Sequence, residues 1–379
     1  VPRPVIETTT TKTAFFNARE RIMSHFIQLH LLTSYPPANL NRDDLGRPKT
    51  ALMGGAKRLR VSSQSLKRTW RTSALFEEAV GQHRGQRTKR VGLEAEKQLI
   101  EKGIGDKKAR EWATEIAKVF GDVAKGEVET SQLVHIAPEE QAAVDALVET
   151  LAAENRAPEK EDLDLLRENP TAVDIALFGR MLAASPAFNV EAACQVAHAI
   201  TVHAAEVEDD YFTAVDDLNA GDEHRGAAHV GEAGFGAGLF YSYICIDRQQ
   251  LIDNLQGQEE LADRAIAALV EAAVKTSPKG KQNSFGSRAH ASYVLAEKGD
   301  QQPRSLAAAF LRPVPGQDQA LDAITRLERQ AKAFDEAYDA GADRRFIVVA
   351  EPDYSTPQLA GDVTTGSLSA LIGFLGQKQ

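Results

Sequence analysis

The sequence predicts an α+β fold, and three observations lead there. Segments rich in β-branched and aromatic residues, such as "FIQLHLL" (26–32), "GLFYSYICID" (238–247) and "ASYVLAE" (291–297), read as strands. Segments with a 3.6-residue apolar period, "EELADRAIAALVEAAVKT" (259–276) above all, read as helices. A helical block at 77–168 interrupts this mixture. Reduced to its core, the order is strand, helix, strand, strand, helix, strand, which is the ferredoxin-like pattern.

The elements follow in order. Residues 1–22 are Thr-rich, Pro-punctuated and unpatterned; they read as an extension outside the native core, with Met23 as the native start. The first strand spans 26–32, and residues 33–58 read as a long loop broken by Pro and Gly. "LRV" (59–61) adds a short strand. Ser62 or Ser63 caps a helix expected to run to Phe76, with Leu66 and Trp70 facing the core. The block 77–168 holds four helical segments, at 92–103, 106–120, 138–155 and 159–168. "VDIALFG" (173–179) returns to strand character, and "VEAACQVAHAITVH" (190–203) fits either helix or strand. Residues 320–340 form a late helix, and "RFIVVAE" (345–351) a late strand.

Composition narrows the function classes. The chain of 379 residues has 43% apolar and 26% charged residues, as ordinary globular proteins do. No stretch reaches the ~18 apolar residues of a membrane helix, so no membrane role is expected. Cys194 and Cys245 give no disulfide framework, which points to a reducing cytoplasm.

Charge is unevenly placed. The chain carries 44 basic and 54 acidic residues, yet residues 45–76 hold eight Lys or Arg and no Asp or Glu. Residues 127–168, by contrast, hold twelve acidic and three basic residues. A local basic block on an acidic background argues for one defined anionic partner rather than loose coating of nucleic acid. Within the block, Lys67 and Arg71 are one helical turn apart, with Arg68 beside them. Ser62, Ser63 and Gln64 sit where a helix start offers free N–H groups to a phosphate. Arg42, Lys49, Lys57, Arg58 and Arg60 complete the candidate phosphate-binding set. The spacing is not that of a Walker loop.

The stretch "LNRDDLGRPKTALMGGAKRLRVSSQSLKRTWR" (40–71) closely resembles the signature of the CasC family, the repeated backbone subunit of the type I-E CRISPR Cascade complex and part of the RAMP superfamily. "VDIALFGRM" (173–181), "AHAITVH" (197–203), "YFTAVDDL" (211–218), "AAHVG" (227–231) and "GLFYSYICID" (238–247) resemble further family segments in the family's order. The resemblance implies an RNA-recognition-like palm (23–76 and 171–379), a helical finger domain (77–170) and a thumb hairpin at about 198–231. It implies that Tyr211, Phe212, Val215 and Val230 intrude between bases, with Met181 in a similar role. Tyr211 and Val230 stand where the family pattern commonly has Trp and Leu. The implied partners are crRNA, target DNA, other copies of the chain and the other Cascade subunits. A separate helicase-nuclease would act on the assembled complex. No cofactor and no catalysis are implied.

The competing class is a metal-dependent endoribonuclease that processes repeat RNA. His198, His203, His224 and His229, with Asp209, Asp210, Asp216 and Asp217, are its raw material. The spacing of His198 and His203 is poor for one helical face, and no His-Glu-x-x-His occurs. "GFGAGLF" (234–240) is not a dinucleotide motif, because a strand follows it where a helix is required. His30 reads as a packed strand residue, and both cysteines as small buried ones.

Overall fold

The computed structural model describes residues 25–214, 229–339, 341–355, 357–359 and 363–376. The expectations for residues 1–22 and for Val215 lie outside that set. Strand β1 (Phe26–Ala38) runs through the middle of the molecule. Its alternation sends Ile27, Leu29 and Leu31 to one face and Gln28, His30 and Leu32 to the other, all buried. A strand buried on both faces belongs in the interior of a covered sheet.

The short strand expected at 59–61 is the end of β3 (Ala56–Val61), which pairs with β2 (Thr50–Met53) in a hairpin that takes in part of the segment expected to be a loop. Gly54 and Gly55, at φ 59° and 76°, make the two-residue turn between them. A Cβ at Gly54 would stand 1.6 Å from the Leu311 carbonyl oxygen, so close approach also demands glycine there. β2, TALM, is too short to show an alternation, and in β3 the charges of Lys57, Arg58 and Arg60 hide it.

Helix α1 (Ser63–Arg71) buries Leu66 and Trp70, as expected, but stops short of Phe76. Ser73 Oγ accepts from the Phe76 N–H at 3.2 Å and opens a second helix, α2 (Ala74–Val80). Next come β4 (Gln86–Thr88), α3 (Val91–Glu101), α4 (Asp106–Phe120), β5 (Val134–Ile136) and α5 (Pro138–Glu154). The three helices close around their own core, which includes Leu99, Trp112, Ile116, Phe120, Val148 and Leu151. The fourth expected helix is absent. Residues 159–168 hold one 3-10 turn, Glu161–Leu163. There Asp162 accepts from Arg156 and from the Glu159 N–H, while Leu165 and Leu166 are buried beyond the turn.

"VDIALF" is a helix, α6 (Val173–Phe178), not a strand. Val173 through Leu177 are all buried, and a short apolar run carries no period to separate the two states. Gly179, at φ 79°, ends it. The ambiguous segment resolves into two short strands, β6 (Cys194–Val196) and β7 (Ala199–Thr201). Then follow β8 (Glu208–Ala214), the long β9 (His229–Asp247), α7 (Arg248–Asn254), α8 (Glu259–Lys275), α9 (Gln282–Phe285) and β10 (Ala291–Gly299). The chain continues through α10 (Gln319–Ala337), β11 (Arg344–Val349), β12 (Val363–Thr365) and α11 (Leu368–Gly376).

The main sheet has the order β12-β11-β10-β1-β9-β7-β3-β2, and β6 and β8 pair with β9. The β11–β12 pair is parallel and the others are antiparallel. One face packs on α1, α2, α8 and α11 through residues such as Trp70, Phe76, Leu269 and Phe374. The other packs on α10 through Ile324 and Leu327, and on Phe310 and Val314. The chain is thus α+β with one large mixed sheet. Among the described residues no helix is long and apolar enough to cross a membrane.

Candidate nucleic-acid interface

The basic block folds into two adjoining pieces, the β2–β3 hairpin and the start of α1. On β3, Lys57 is exposed and Arg60 half-buried. The Arg60 N–H donates to the Lys49 carbonyl at 2.8 Å, which keeps these two cations side by side. Arg60 Nη1 also donates to His198 Nδ1 at 2.9 Å. Partial burial, then the positive charges of Arg60 and Lys49, hold His198 below the ordinary histidine value. Neutral His198 is therefore an acceptor that aims Arg60. Arg42 is exposed on the preceding loop, where Asp43 Oδ1 accepts from the N–H groups of Leu45 and Arg47.

Two members of the expected set are not surface groups. Arg58 is 0% exposed; its guanidinium donates to the Thr201 carbonyl at 3.0 Å and the Phe310 carbonyl at 2.9 Å. It ties β3 to β7 and to the 3-10 turn Ala307–Phe310. Ser62 is buried as the N-cap of α1: its Oγ accepts from Ser65 N–H at 3.4 Å, and its own N–H donates to Asn41 Oδ1 at 2.9 Å. Strand alternation and cap chemistry are the physical reasons, since both turn a polar side chain inward.

The helix start itself remains open. Ser63 is half-buried and Gln64 exposed. Their N–H groups precede the first intrahelical bond, and the first turn carries no acidic residue. Further along, Arg68 is exposed, and Lys67 lies with its ammonium 5.5 Å from the centre of the Phe178 ring. Arg71 is turned aside: its Nη1 donates to Asp174 Oδ2 at 3.0 Å. Phe178 was invisible as a site residue because its segment reads as a strand.

Met181 follows the buried pair Arg180–Glu140, joined at 2.7 Å, and is 84% exposed. The β8–β9 hairpin presents Tyr211 at 70% and Phe212 at 44% exposure. Consecutive strand residues face opposite ways, so the hairpin shows an aromatic on each side. The Phe212 ring covers its cross-strand partner Gly231, where a Cβ would come within 2.4 Å of it. Val230 pairs with Thr213 by its backbone. Arg47 Nη2 bridges to Asp209 at 2.8 Å and fixes the hairpin base to the loop that carries Arg42, a link the sequence did not signal.

The groups of the competing class are placed differently. His30 is wholly buried, bonded to Tyr241 at 2.9 Å and Glu297 at 3.2 Å. His203 accepts from the Leu239 N–H at 3.1 Å. Burial pushes the Cys194 thiol up to about 12 and the Cys245 thiol up to about 11. Among the described residues no three His, Cys, Asp or Glu are grouped to hold a metal ion. His224, Asp216 and Asp217 lie outside the described residues.

The profile of the family described as CT1975-like protein matches residues 27–373. Among solved structures, a chain of a "CRISPR RNA-guided surveillance complex, pre-nicking" is 31% identical, with a TM-score of 0.80 over 93% of this chain and 99% of that one. A chain of another "CRISPR RNA-guided surveillance complex" is 26% identical, with a TM-score of 0.60 over 92% of this chain and 99% of that one. No curated protein sequence matches.

Proposed function

The chain belongs to the CT1975-like family, and from that premise we propose that it is the guide-RNA-binding backbone subunit of a CRISPR Cascade complex of type I-E. The observation that carries this reading is the set of exposed or half-buried cations Arg42, Lys49, Lys57, Arg60, Lys67 and Arg68 around an open helix start, on a chain whose acidic residues outnumber its basic ones. Lys49, Lys57, Arg60, Lys67 and Arg68 hold phosphates as fixed charges, and the Ser63 and Gln64 N–H groups add neutral donors.

The strands β10-β1-β9-β7, with α1 and α8 as crossover helices, act as a ferredoxin-like palm beneath that groove. The β8–β9 hairpin acts as the thumb. Its aromatics, with Met181, interrupt the stack of the guide and kink it. Copies line up along the guide through a repeated head-to-tail contact that does not close. The guide then reads target DNA by base pairing, while the protein holds backbone and shape. Other Cascade subunits cap the array, and a separate helicase-nuclease cuts. The chain itself is a scaffold without catalytic activity: its groove is built from fixed cations, and its thiols are held as neutral, buried groups.

The test is direct. Purified protein mixed with guide RNA and Mg²⁺ protects the RNA, and bound mass steps upward with RNA length. Site-specific cleavage that a chelator abolishes would overturn the scaffold reading.

A further inference from the structure

At the sheet edge away from the basic groove, β10 and β11 set Lys298 directly opposite Arg344. Like charges opposed across a ladder disfavour the pairing. Both cations reach over one ring: Lys298 Nζ lies 5.6 Å and Arg344 Cζ 5.0 Å from the centre of Phe374. Lys298 Nζ donates to the Phe374 and Leu375 carbonyls at 3.3 and 3.2 Å, at the end of α11. Burial, then the charges of Arg344 and Arg248, lower Lys298 to about 8, against the opposing pull of Asp263. Neighbouring Arg345 is bonded to Glu297 and Asp335.

Arg344 differs from Arg345. Its Nε and Nη2 are buried and, among the described residues, have no hydrogen-bond partner. Those two N–H groups form the parallel edge by which a guanidinium grips an oxyanion in bidentate fashion. A cavity of about 460 Å³ opens here, walled by Arg344, Arg345, Phe346, Thr364, Gly373 and Phe374. Arg344 is half-buried and part of that wall, and its fork, buried as it stands, would have to rotate to meet an entering ligand.

We infer that this cavity is an oxyanion site that takes a phosphate group on the Arg344 fork, with the Thr364 hydroxyl as a neutral donor. Buried guanidinium N–H groups without an acceptor are unfavourable, and a bound anion relieves them. Two cations above one ring are matched by a dianion, which favours phosphate over a single carboxylate. The site is separate from the basic groove, because β10, β1, β9 and β7 lie between β11 and β3. It does not rest on the guide-RNA reading.

Thermal unfolding of the full chain tests it, with inorganic phosphate and adenosine monophosphate as two arms and acetate at equal ionic strength as control. A ligand that binds the folded state raises the midpoint with its concentration. The expected rise is about 2 °C at about ten times the dissociation constant in at least one phosphate arm. A response to phosphate alone marks a free-ion site; a response to both marks a phosphate-ester site. Arg344→Met, which removes the unpaired cation, keeps its ligand-free midpoint and loses the response. Arg344→Lys, which keeps the charge without the fork, loses most of it. Lys67→Ala/Arg68→Ala keeps the response, since those groups belong to the other surface. No rise in the wild-type chain, an equal rise with acetate, a rise that survives Arg344→Met, or one lost in Lys67→Ala/Arg68→Ala overturns the assignment.

Discussion

Arg71 and Asp174 meet at 3.0 Å, and Asp174 is fully buried. The same carboxylate accepts from the Gly85 N–H at 2.7 Å and contacts His135 Nε2 at 2.9 Å. One side chain therefore joins α1, the chain leading to β4, strand β5 and α6. The helix that carries Lys67 and Arg68 is thereby locked to the helical region. Asp174→Ala should lower stability by about 3–5 kcal/mol, because it leaves the Arg71 charge and the Gly85 N–H without their partner. Arg71→Ala should cost less, about 1–3 kcal/mol, since two donors remain on the carboxylate. Denaturant midpoints check both, and a neutral Asp174→Ala would sink this account.

Arg58 and Arg68 share the basic block but not a role. Lys67→Ala/Arg68→Ala should weaken RNA binding and reduce the salt slope by about 1.4, at about 0.7 per phosphate contact for a single strand. Its unfolding midpoint should stay near wild type. Arg58→Ala should do the reverse, because it leaves the Thr201 and Phe310 carbonyls buried and unpaired, at about 1–3 kcal/mol each. Filter-binding titrations at several salt concentrations, beside thermal melts, separate the two classes. Equal salt slopes for the wild type and the double variant would show that the α1 face is merely solvated.

Acid should loosen the sheet in two stages. Burial holds His30 below the ordinary histidine value, against the opposing pull of Glu297. The unfolded chain therefore takes up that proton first, and stability starts to fall as pH drops through about 6.5. Burial pushes Glu297 upward, but His30 and Arg304 outweigh it and leave its carboxyl depressed. Asp174 is likewise depressed, with burial opposed by His135, the Gly85 N–H and Arg71. The stability that these carboxylates supply is present above the ordinary carboxylate range and is lost as pH falls below it. A His30→Gln variant should remove the first stage and keep the second. An unchanged profile between pH 7 and 5 in that variant would contradict the assignment to His30.

Much of this was legible because side-chain period and backbone period coincide. β1, β9 and β10 are long runs rich in β-branched and aromatic residues, α8 and α10 are long runs with a helical apolar period, and all five are legible in the sequence. "VDIALF" was misread because six apolar-rich residues, buried all round, show no period at all. Of the hairpin at 50–61 only the strand at 59–61 is legible, from buried Leu59 and Val61; residues 50–58 read as loop because Gly54 and Gly55 break the run and the inward position before Leu59 is filled by Arg58. The site was legible in charge and not in direction. Spacing along α1 brings Lys67 and Arg71 to neighbouring positions, but only the approach of Asp174 decides that one faces out and the other is tied down. That approach joins residues 103 positions apart, which no local pattern reports.

The hairpin poses the sharpest test. Tyr211 is the more exposed of the two aromatics on β8, and Phe212 lies across Gly231 on the adjacent strand. If both serve as wedges, each truncation should weaken target-DNA capture and leave the salt slope intact, because base–aromatic contacts contribute about 1–3 kcal/mol per base without any phosphate term. Their structural roles differ, however. Tyr211→Ala removes an outward ring and should leave the melt unchanged. Phe212→Ala uncovers the Gly231 backbone and should loosen the hairpin as well as the grip. Gly231→Ala then isolates the ring's position: the new methyl group pushes the Phe212 ring off its seat while keeping both aromatics in the chain. Capture assays on the assembled complex, paired with hydrogen exchange of the β8–β9 amides, read the two effects separately. Weaker capture in Gly231→Ala, with the hairpin amides still protected, means that the ring must sit where it does to meet the bases. Normal capture in all three variants would reduce Phe212 to a cover for a glycine and remove the wedge from the mechanism.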